Sequence, residues 1–210
     1  SRSAAPGPSI TLAAGAAAQC LVALAALGSG PLLSSLSNPQ AEIAELIKSA
    51  EADLGRNYEL GCHLAYEAAD ILPNCVFGDS RAERTVVLFG DSHAAQWFEP
   101  LEAAASKNGW RLLAWTKSSC PSSDVSVYYA PKKMVFRECD LWRQNVMERL
   151  RALRPAMVVL SNSNFYSGWL ADRNTGAPLS DAAALGVLSA GLRRVALQLS
   201  ETGARIDVIA

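Results

Sequence analysis

The chain has 210 residues, half of them hydrophobic, which is enough for one ordinary domain with a sizeable core and an appendage. Its formal net charge of −1 argues against a nucleic-acid partner held by a broad basic field. It begins with Ser rather than Met and ends within a strand-like run, so we expect a piece of a longer protein.

The first predicted element lies in an uncharged stretch between Arg2 and Glu42. Its apolar segment, residues 10–27, is long enough to cross a bilayer. The segment is Ala-rich and contains Gln19, so a secretory signal and a buried helix are alternatives. A signal would have a more basic start and a shorter apolar region, which favours a transmembrane helix with its flanks over residues 1–34. A transmembrane helix and a signal both place the remaining residues outside the cytoplasm.

A helical connector is predicted next, over residues 35–60. Asn38 is suited to cap a helix, Pro39 to occupy its first turn, and Gly55 to end it. Apolar residues recur at helical spacing between these limits, at Ile43, Leu46, Ile47, Ala50 and Leu54. Residues 61–210 then form the main domain.

Four of the five cysteines in the sequence form two near pairs, Cys62 with Cys75 and Cys120 with Cys139. Four cysteines allow three pairings, and sequence cannot choose rigorously among them. We expect the local pairing, since each pair brackets one loop and the predicted location permits disulfides. A metal site is the alternative, disfavoured because the sequence has no Cys-x-x-Cys and only two His.

Strand-like runs and helical patterns alternate from residue 85 to the end. The runs are TVVLF, WRLLAW, MVVLS and RIDVIA, and the helices between them end near Gly109, Pro155 and Gly203. Polar loops follow the second run, over residues 117–133, and the third, over residues 162–178. The alternation predicts a parallel sheet with helices on both faces and ligands beyond the carboxyl ends of the strands.

The tetrapeptide Phe-Gly-Asp-Ser occurs twice, ending at Ser80 and at Ser92. Ser80 follows no regular strand pattern, so its copy is interpreted as a Gly-Asp turn. Ser92 follows TVVLF and begins a helix, with Gly90 allowing a sharp turn. It can cap that helix. Alternatively it is a nucleophile, because N–H groups at a helix N-terminus can stabilise an oxyanion.

The run VLFGDSH resembles the first motif of the SGNH (GDSL-type) hydrolases. GDSHAA, the SSCP at residues 118–121 and the downstream Cys139 are closer to the SGNH domains carried on membrane acyltransferases of family 3. The resemblance covers roughly residues 60–210. It implies a flavodoxin-like, three-layer α/β/α fold with Ser92 as the nucleophile. The motif residues around that serine are Gly90, Asp91 and His93.

The resemblance also implies an oxyanion site. The superfamily uses the nucleophile's own N–H, together with a Gly and an Asn from the loops after the second and third strands. Here the first loop offers Ser118 and Ser119 but no Gly, and the second offers Asn162 and Asn164. We predict Ser119 and Asn162 as donors, with turn formation as the alternative for the Asn.

The general base of the superfamily, the His of an Asp-x-x-His near the C terminus, has no counterpart in this sequence. His93 adjoins Ser92 and begins the helix, so its ring should point away from the hydroxyl. His63 is interpreted as a surface or loop histidine. A flavodoxin-like sheet has five strands and the sequence stops in the fourth, so we expect a further strand and helix to carry the base.

The resemblance, together with these features, implies a membrane-anchored O-acyltransferase or esterase domain, periplasmic or extracellular, that needs no metal or cofactor. Ser92 would take an acyl group, commonly acetyl, from a donor and pass it to a cell-envelope glycan or glycolipid, or to water. The alternative is a non-catalytic glycan-binding or scaffolding module on the same fold. A nucleotide binder is disfavoured because a phosphate-cradling glycine pattern is absent. Three aromatic residues could line an acceptor groove or simply pack, namely Phe165, Tyr166 and Trp169.

Overall fold

The computed structural model describes residues 39–52, 55–164, 166 and 168–209. The chain divides into two compact units, Ser1–Asp53 and Leu54–Ala210. The predicted transmembrane segment, residues 10–27, lies outside the described residues.

In the first unit, helix α1 spans Pro39–Ala52. Its apolar residues Ile43, Leu46 and Ile47 are exposed. Residues 56–60, which the sequence assigns to the connector, lie in the second unit. There the backbone N–H of Arg56 donates a hydrogen bond to the Glu99 carboxylate at 3.2 Å.

The second unit alternates strands and helices. Its strands are β1 (His63–Leu64), β2 (Val76–Gly78), β3 (Thr85–Gly90), β4 (Arg111–Lys117), β5 (Ser126–Tyr129), β6 (Met134–Val135), β7 (Met157–Ser161), β8 (Leu170–Ala171) and β9 (Arg205–Ile209). Its helices are α2 (Arg56–Glu59), α3 (Ser92–Gln96), α4 (Phe98–Asn108), α5 (Arg137–Leu153) and α6 (Asp181–Ser200).

Strands β4, β3, β7 and β9 lie side by side in that order and run parallel. This is the 2-1-3-4 order of a flavodoxin-like sheet. Gly90, the last residue of β3, pairs with Thr116 of β4 and with Ser161 of β7. The residues that follow these three strands therefore meet at one carboxyl edge of the sheet.

The two faces of the sheet are buried under different helices. Alternate residues of β3 enter different cores, because successive side chains of a strand point to opposite faces. Val86 and Leu88 pack in a cluster with Phe98 of α4. Val87 and Phe89 pack in a second cluster with residues of α5 and α6, including Trp142 of α5. This arrangement confirms the predicted three-layer α/β/α fold with a parallel sheet.

The structure corrects the prediction that no strand precedes Ser80. Strand β2 runs antiparallel to β4, and its last residue, Gly78, pairs with the first residue of β4, Arg111. The first copy of the motif, which ends at Ser80, therefore lies at the amino edge of the sheet, opposite Ser92. Asp79 forms the predicted turn there, accepting hydrogen bonds from the backbone N–H groups of Arg81 and Ala82.

The predicted polar loops also contain strands. Strands β6, β5 and β8 form a small separate sheet in that order. Helix α5 accordingly begins at Arg137, after Val135, which belongs to β6. The helix predicted to end near Gly109 is divided at Trp97 into α3 and α4. Pro100 lies in the first turn of α4, where its missing N–H is tolerated.

Helix α6 is the one helix, within the described ranges, that is long and apolar enough to cross a membrane. It connects β7 to β9, and Ala184, Val195 and Leu199 on one of its faces belong to the hydrophobic core. This face packs against the core, whereas Leu185 and Leu197 of the same helix are exposed.

Candidate functional site

Ser92 stands at the carboxyl edge of the sheet as the first residue of α3, and it is partly exposed. The residue that caps this helix is its neighbour. The Asp91 carboxylate accepts a hydrogen bond from the His93 backbone N–H at 2.8 Å. The Ser92 hydroxyl has no hydrogen-bond partner in the part of the chain that the structure describes. The capping alternative therefore applies to Asp91, and the Ser92 hydroxyl is available to a ligand.

Gly90 is required by the close approach of two strands. A Cβ atom at this position would lie 1.8 Å from the Ser161 carbonyl oxygen and 2.9 Å from the Ala94 Cβ. Any larger residue would push β3 away from β7 at the point where the chain turns into Ser92. The glycine of the motif thus fixes the position from which the serine leaves the sheet.

Asp91 is buried and bound by donors from two directions. Its second carboxylate oxygen accepts hydrogen bonds from the Ser163 backbone N–H at 2.8 Å and from the Tyr166 hydroxyl at 2.6 Å. Burial, and then the adjacent Asp91 charge, raise the pKa of Tyr166, so this hydroxyl stays a donor. Asp91 therefore ties the turn that carries Ser92 to the loop after β7.

The loop after β4 lies beside this turn, because Thr116 is the register partner of Gly90. Ser119 in this loop has a φ of 50°, in the left-handed region that favours glycine. Its hydroxyl is hydrogen-bonded with the Tyr66 hydroxyl at 2.9 Å. Neither its backbone N–H nor that of Ser92 has an acceptor among the described residues. Two N–H donors without an acceptor among the described residues thus occur on neighbouring turns, and the use of Ser119 as an oxyanion donor stays a prediction.

Asn162 lies at the same edge, directly after β7. Its side-chain oxygen accepts from the Ser122 backbone N–H at 2.6 Å, and its amide nitrogen donates to the Ser122 hydroxyl at 2.9 Å. The side chain therefore joins the loops after β4 and β7. Its use as an oxyanion donor stays a prediction. Asn164 is exposed.

His63 is the functional candidate that sequence reasoning missed. It lies on β1, in register with Thr116. Its Nδ1 is 2.9 Å from the Thr116 hydroxyl, and its Nε2 is 3.0 Å from the Ser118 hydroxyl. The ring stacks on Tyr58 with centroids 4.1 Å apart. Burial, and then the Lys117 charge, lower the pKa of His63 to about 4, so the imidazole is neutral at pH 7. A two-residue strand is too short for a periodic pattern to reveal it.

His93 is exposed, and its Nδ1 lies 3.8 Å from the Asp91 carboxylate. Neither His93 nor His63 hydrogen-bonds the Ser92 hydroxyl in the described structure. Two of the three aromatic residues proposed for an acceptor groove, Tyr166 and Trp169, lie within the described residues. Tyr166 is buried on Asp91, Trp169 is 37% exposed, and Phe165 lies outside the described residues.

Both predicted disulfides are present. Cys62 and Cys75 are joined with Cα atoms 5.6 Å apart, and Cys120 and Cys139 with Cα atoms 5.4 Å apart. The first closes the segment that contains His63, and the second ties the loop after β4 to α5. Their sulfurs are therefore not metal ligands.

A family model described as the SGNH domain fused to AT3 domains matches residues 61–210. Among solved structures, the chain is similar to the periplasmic domain of a lipopolysaccharide acetyltransferase of Salmonella ser. Paratyphi A, at 17% identity and a TM-score of 0.47. The match covers 74% of this chain and 57% of that one, so it spans little more than half of that domain. Curated protein sequences give no match.

Proposed function

The chain belongs to the family of SGNH domains fused to AT3 domains, and from this membership we propose that it is an extracytoplasmic O-acyltransferase or esterase domain with Ser92 as its nucleophile. The observation that carries the proposal is the unengaged Ser92 hydroxyl at the carboxyl edge, with Asp91 as the helix cap. A serine kept for structure alone would be expected to use its hydroxyl for the cap. The two disulfides support a location outside the cytoplasm.

In the proposed reaction, the Ser92 oxygen attacks the carbonyl carbon of an acyl donor, and the hydroxyl proton passes to a base. The carbonyl oxygen becomes negatively charged and accepts hydrogen bonds from the Ser92 and Ser119 N–H groups. The bond between the carbonyl carbon and the donor's leaving group breaks, and the leaving group takes up the proton that the base had accepted. A hydroxyl of a cell-envelope glycan or glycolipid, or water, then attacks the acyl-serine and releases Ser92 with its proton restored.

The alternative proposal is a glycan-binding or scaffolding module on the same fold. It is favoured by one observation: within the described residues, no histidine ring is hydrogen-bonded to the Ser92 hydroxyl. For the same reason we expect slow turnover by these 210 residues. The nucleophile is therefore better identified by covalent trapping than by turnover.

The test uses an activated acetyl ester and a fluorophosphonate, with the modified residue located by peptide mass spectrometry. Ser92→Ala is compared with Ser80→Ala, the matched serine of the other tetrapeptide. We expect an adduct on Ser92 in the wild type and in Ser80→Ala, and none in Ser92→Ala. Labelling of Ser92→Ala equal to that of the wild type would exclude Ser92 as the nucleophile, and no adduct in any of the three proteins would favour the binding module.

A further inference from the structure

Three consecutive side chains at the end of β4 are bound by the segment of residues 63–68, which we term the brace. The Lys117 ammonium is fully buried and donates to three brace carbonyls, those of Ala65, Tyr66 and Ala68, at 2.6–2.8 Å. The next two side chains, Ser118 and Ser119, are hydroxyls that pair with His63 and with the Tyr66 hydroxyl. Such continuous binding fixes the backbone of the loop as well as its side chains.

The backbone that is fixed in this way has an unfavourable conformation. Ser119 has a φ of 50°, which costs a residue with a side chain more than it costs glycine. The hydroxyl bond to Tyr66 and the Ser118 bond to His63 hold the chain on either side of the Ser119 N–H. Without these bonds, the loop could relax and turn that N–H elsewhere.

The fixed N–H is close to the nucleophile by topology. Gly90 and Thr116 are register partners on neighbouring parallel strands, which are about 4.8 Å apart. Ser92 is two residues beyond the first partner, and Ser119 is three beyond the second. Both turns therefore leave the same edge of the sheet side by side.

We propose that His63 is a positioning residue, which holds Ser118 so that the Ser119 N–H is directed at the carbonyl oxygen of an acyl group on Ser92. This inference rests on the proposed function of Ser92. His63 acts through the loop and not on the reacting atoms, because both ring nitrogens are engaged by the hydroxyls of Thr116 and Ser118.

Two substitutions of His63 separate its two hydrogen bonds. The amide of glutamine reaches the position of Nε2, so His63→Gln can keep the bond to Ser118. The shorter amide of asparagine reaches only the position of Nδ1, so His63→Asn keeps the bond to Thr116 and loses the bond to Ser118. Tyr66→Phe removes the hydroxyl bond to Ser119, and Asp70→Asn, at an exposed residue just beyond the brace, is the control.

Acylation of Ser92 by the activated ester is measured in each protein, together with the inhibition constant of a boronic acid that forms a tetrahedral anion on serine. We expect His63→Asn and Tyr66→Phe to lower kcat/KM by about 10- to 100-fold and to weaken the boronic acid equally, with KM little changed. His63→Gln and Asp70→Asn should stay within about threefold of the wild type. A general loss of folding would lower the melting temperature and would not spare His63→Gln.

Equal kinetics for His63→Asn and His63→Gln, or a loss confined to KM, would overturn the inference alone. An adduct on Ser118 in place of Ser92 would overturn the inference and the proposed function together, because Ser118 and His63 would then be a nucleophile and base. A wild-type protein with no adduct on Ser92 would overturn the proposed function and this inference together.

Discussion

Replacing Asp91 with asparagine tests whether the motif carboxylate holds the Ser92 turn in place. Among the described residues, three groups lie within hydrogen-bond distance of this carboxylate and all are donors: the His93 and Ser163 backbone N–H groups and the Tyr166 hydroxyl. An amide offers one acceptor oxygen and one NH2. The better orientation keeps the oxygen toward Ser163 and Tyr166, and places the NH2 against the N–H of His93.

The cost follows from these contacts. A hydrogen bond to a charged group contributes about 1.5–3 kcal/mol and a neutral one about 1 kcal/mol. Asp91→Asn therefore loses one charged bond and weakens two, a total of about 3–4 kcal/mol of unfolding free energy. In a domain of this size, such a loss lowers the melting temperature by about 10 °C. Tyr166→Phe removes one bond, so it should cost about half as much.

The matched control is Asp79→Asn in the other tetrapeptide. Asp79 is exposed and accepts from the Arg81 N–H in a turn that asparagine also forms well. We expect a change within about 0.5 kcal/mol. Urea denaturation followed by circular dichroism gives the unfolding free energies, and fluorophosphonate labelling gives the accessibility of Ser92. An Asp91→Asn protein that lost less than about 1 kcal/mol and labelled at the wild-type rate would refute the reasoning.

Two further predictions concern the segment around His63. The folded pKa of His63 is about 4, below its ordinary 6.5, so between these values the unfolded chain binds more protons. The unfolding free energy should fall by about 2 kcal/mol as the pH decreases from 6.5 to 4, after allowance for partial exposure, with no contribution from this group above 6.5. The measurement is urea denaturation at a series of pH values. If the unfolding free energy of His63→Gln depended on pH as steeply as that of the wild type, the prediction would be contradicted. Replacing both Cys62 and Cys75 with Ser should cost about 3 kcal/mol and slow labelling of Ser92; an unchanged urea midpoint would count against a structural role for this disulfide.

The main sheet could be predicted because its strands are buried on both faces. A strand covered by helices on both sides shows a continuous apolar run, as in TVVLF and MVVLS, where Val86 to Phe89 and Val158 to Leu160 are nearly inaccessible. The short strands could not be predicted. β1, β6 and β8 have two residues each, and pairing with a neighbouring strand defines them rather than any pattern of their own.

The motif around Ser92 could be predicted from the sequence, but the residues that hold the neighbouring loop in place could not. The sequence predicts that Lys117 begins a polar loop, but in the structure this residue is buried at the end of β4. Its charge is accommodated by three carbonyl acceptors that are 49 to 52 residues distant in sequence. The bonds of His63 to Thr116 and Ser118 span 53 and 55 residues. Such contacts depend on the register between β1 and β4, which two residues cannot encode.

The two copies of Phe-Gly-Asp-Ser have the same sequence but different structural surroundings. In both copies the aspartate accepts a nearby backbone N–H, so local chemistry is shared. The difference is strand direction. Ser80 follows a strand antiparallel to β4 and leaves the sheet at its amino edge, whereas Ser92 follows a parallel strand and leaves at the carboxyl edge. Only at the carboxyl edge do the loops after β4 and β7 meet, and only there does the aspartate find Ser163 and Tyr166. The chemistry proposed for Ser92 therefore depends on strand direction as much as on the motif.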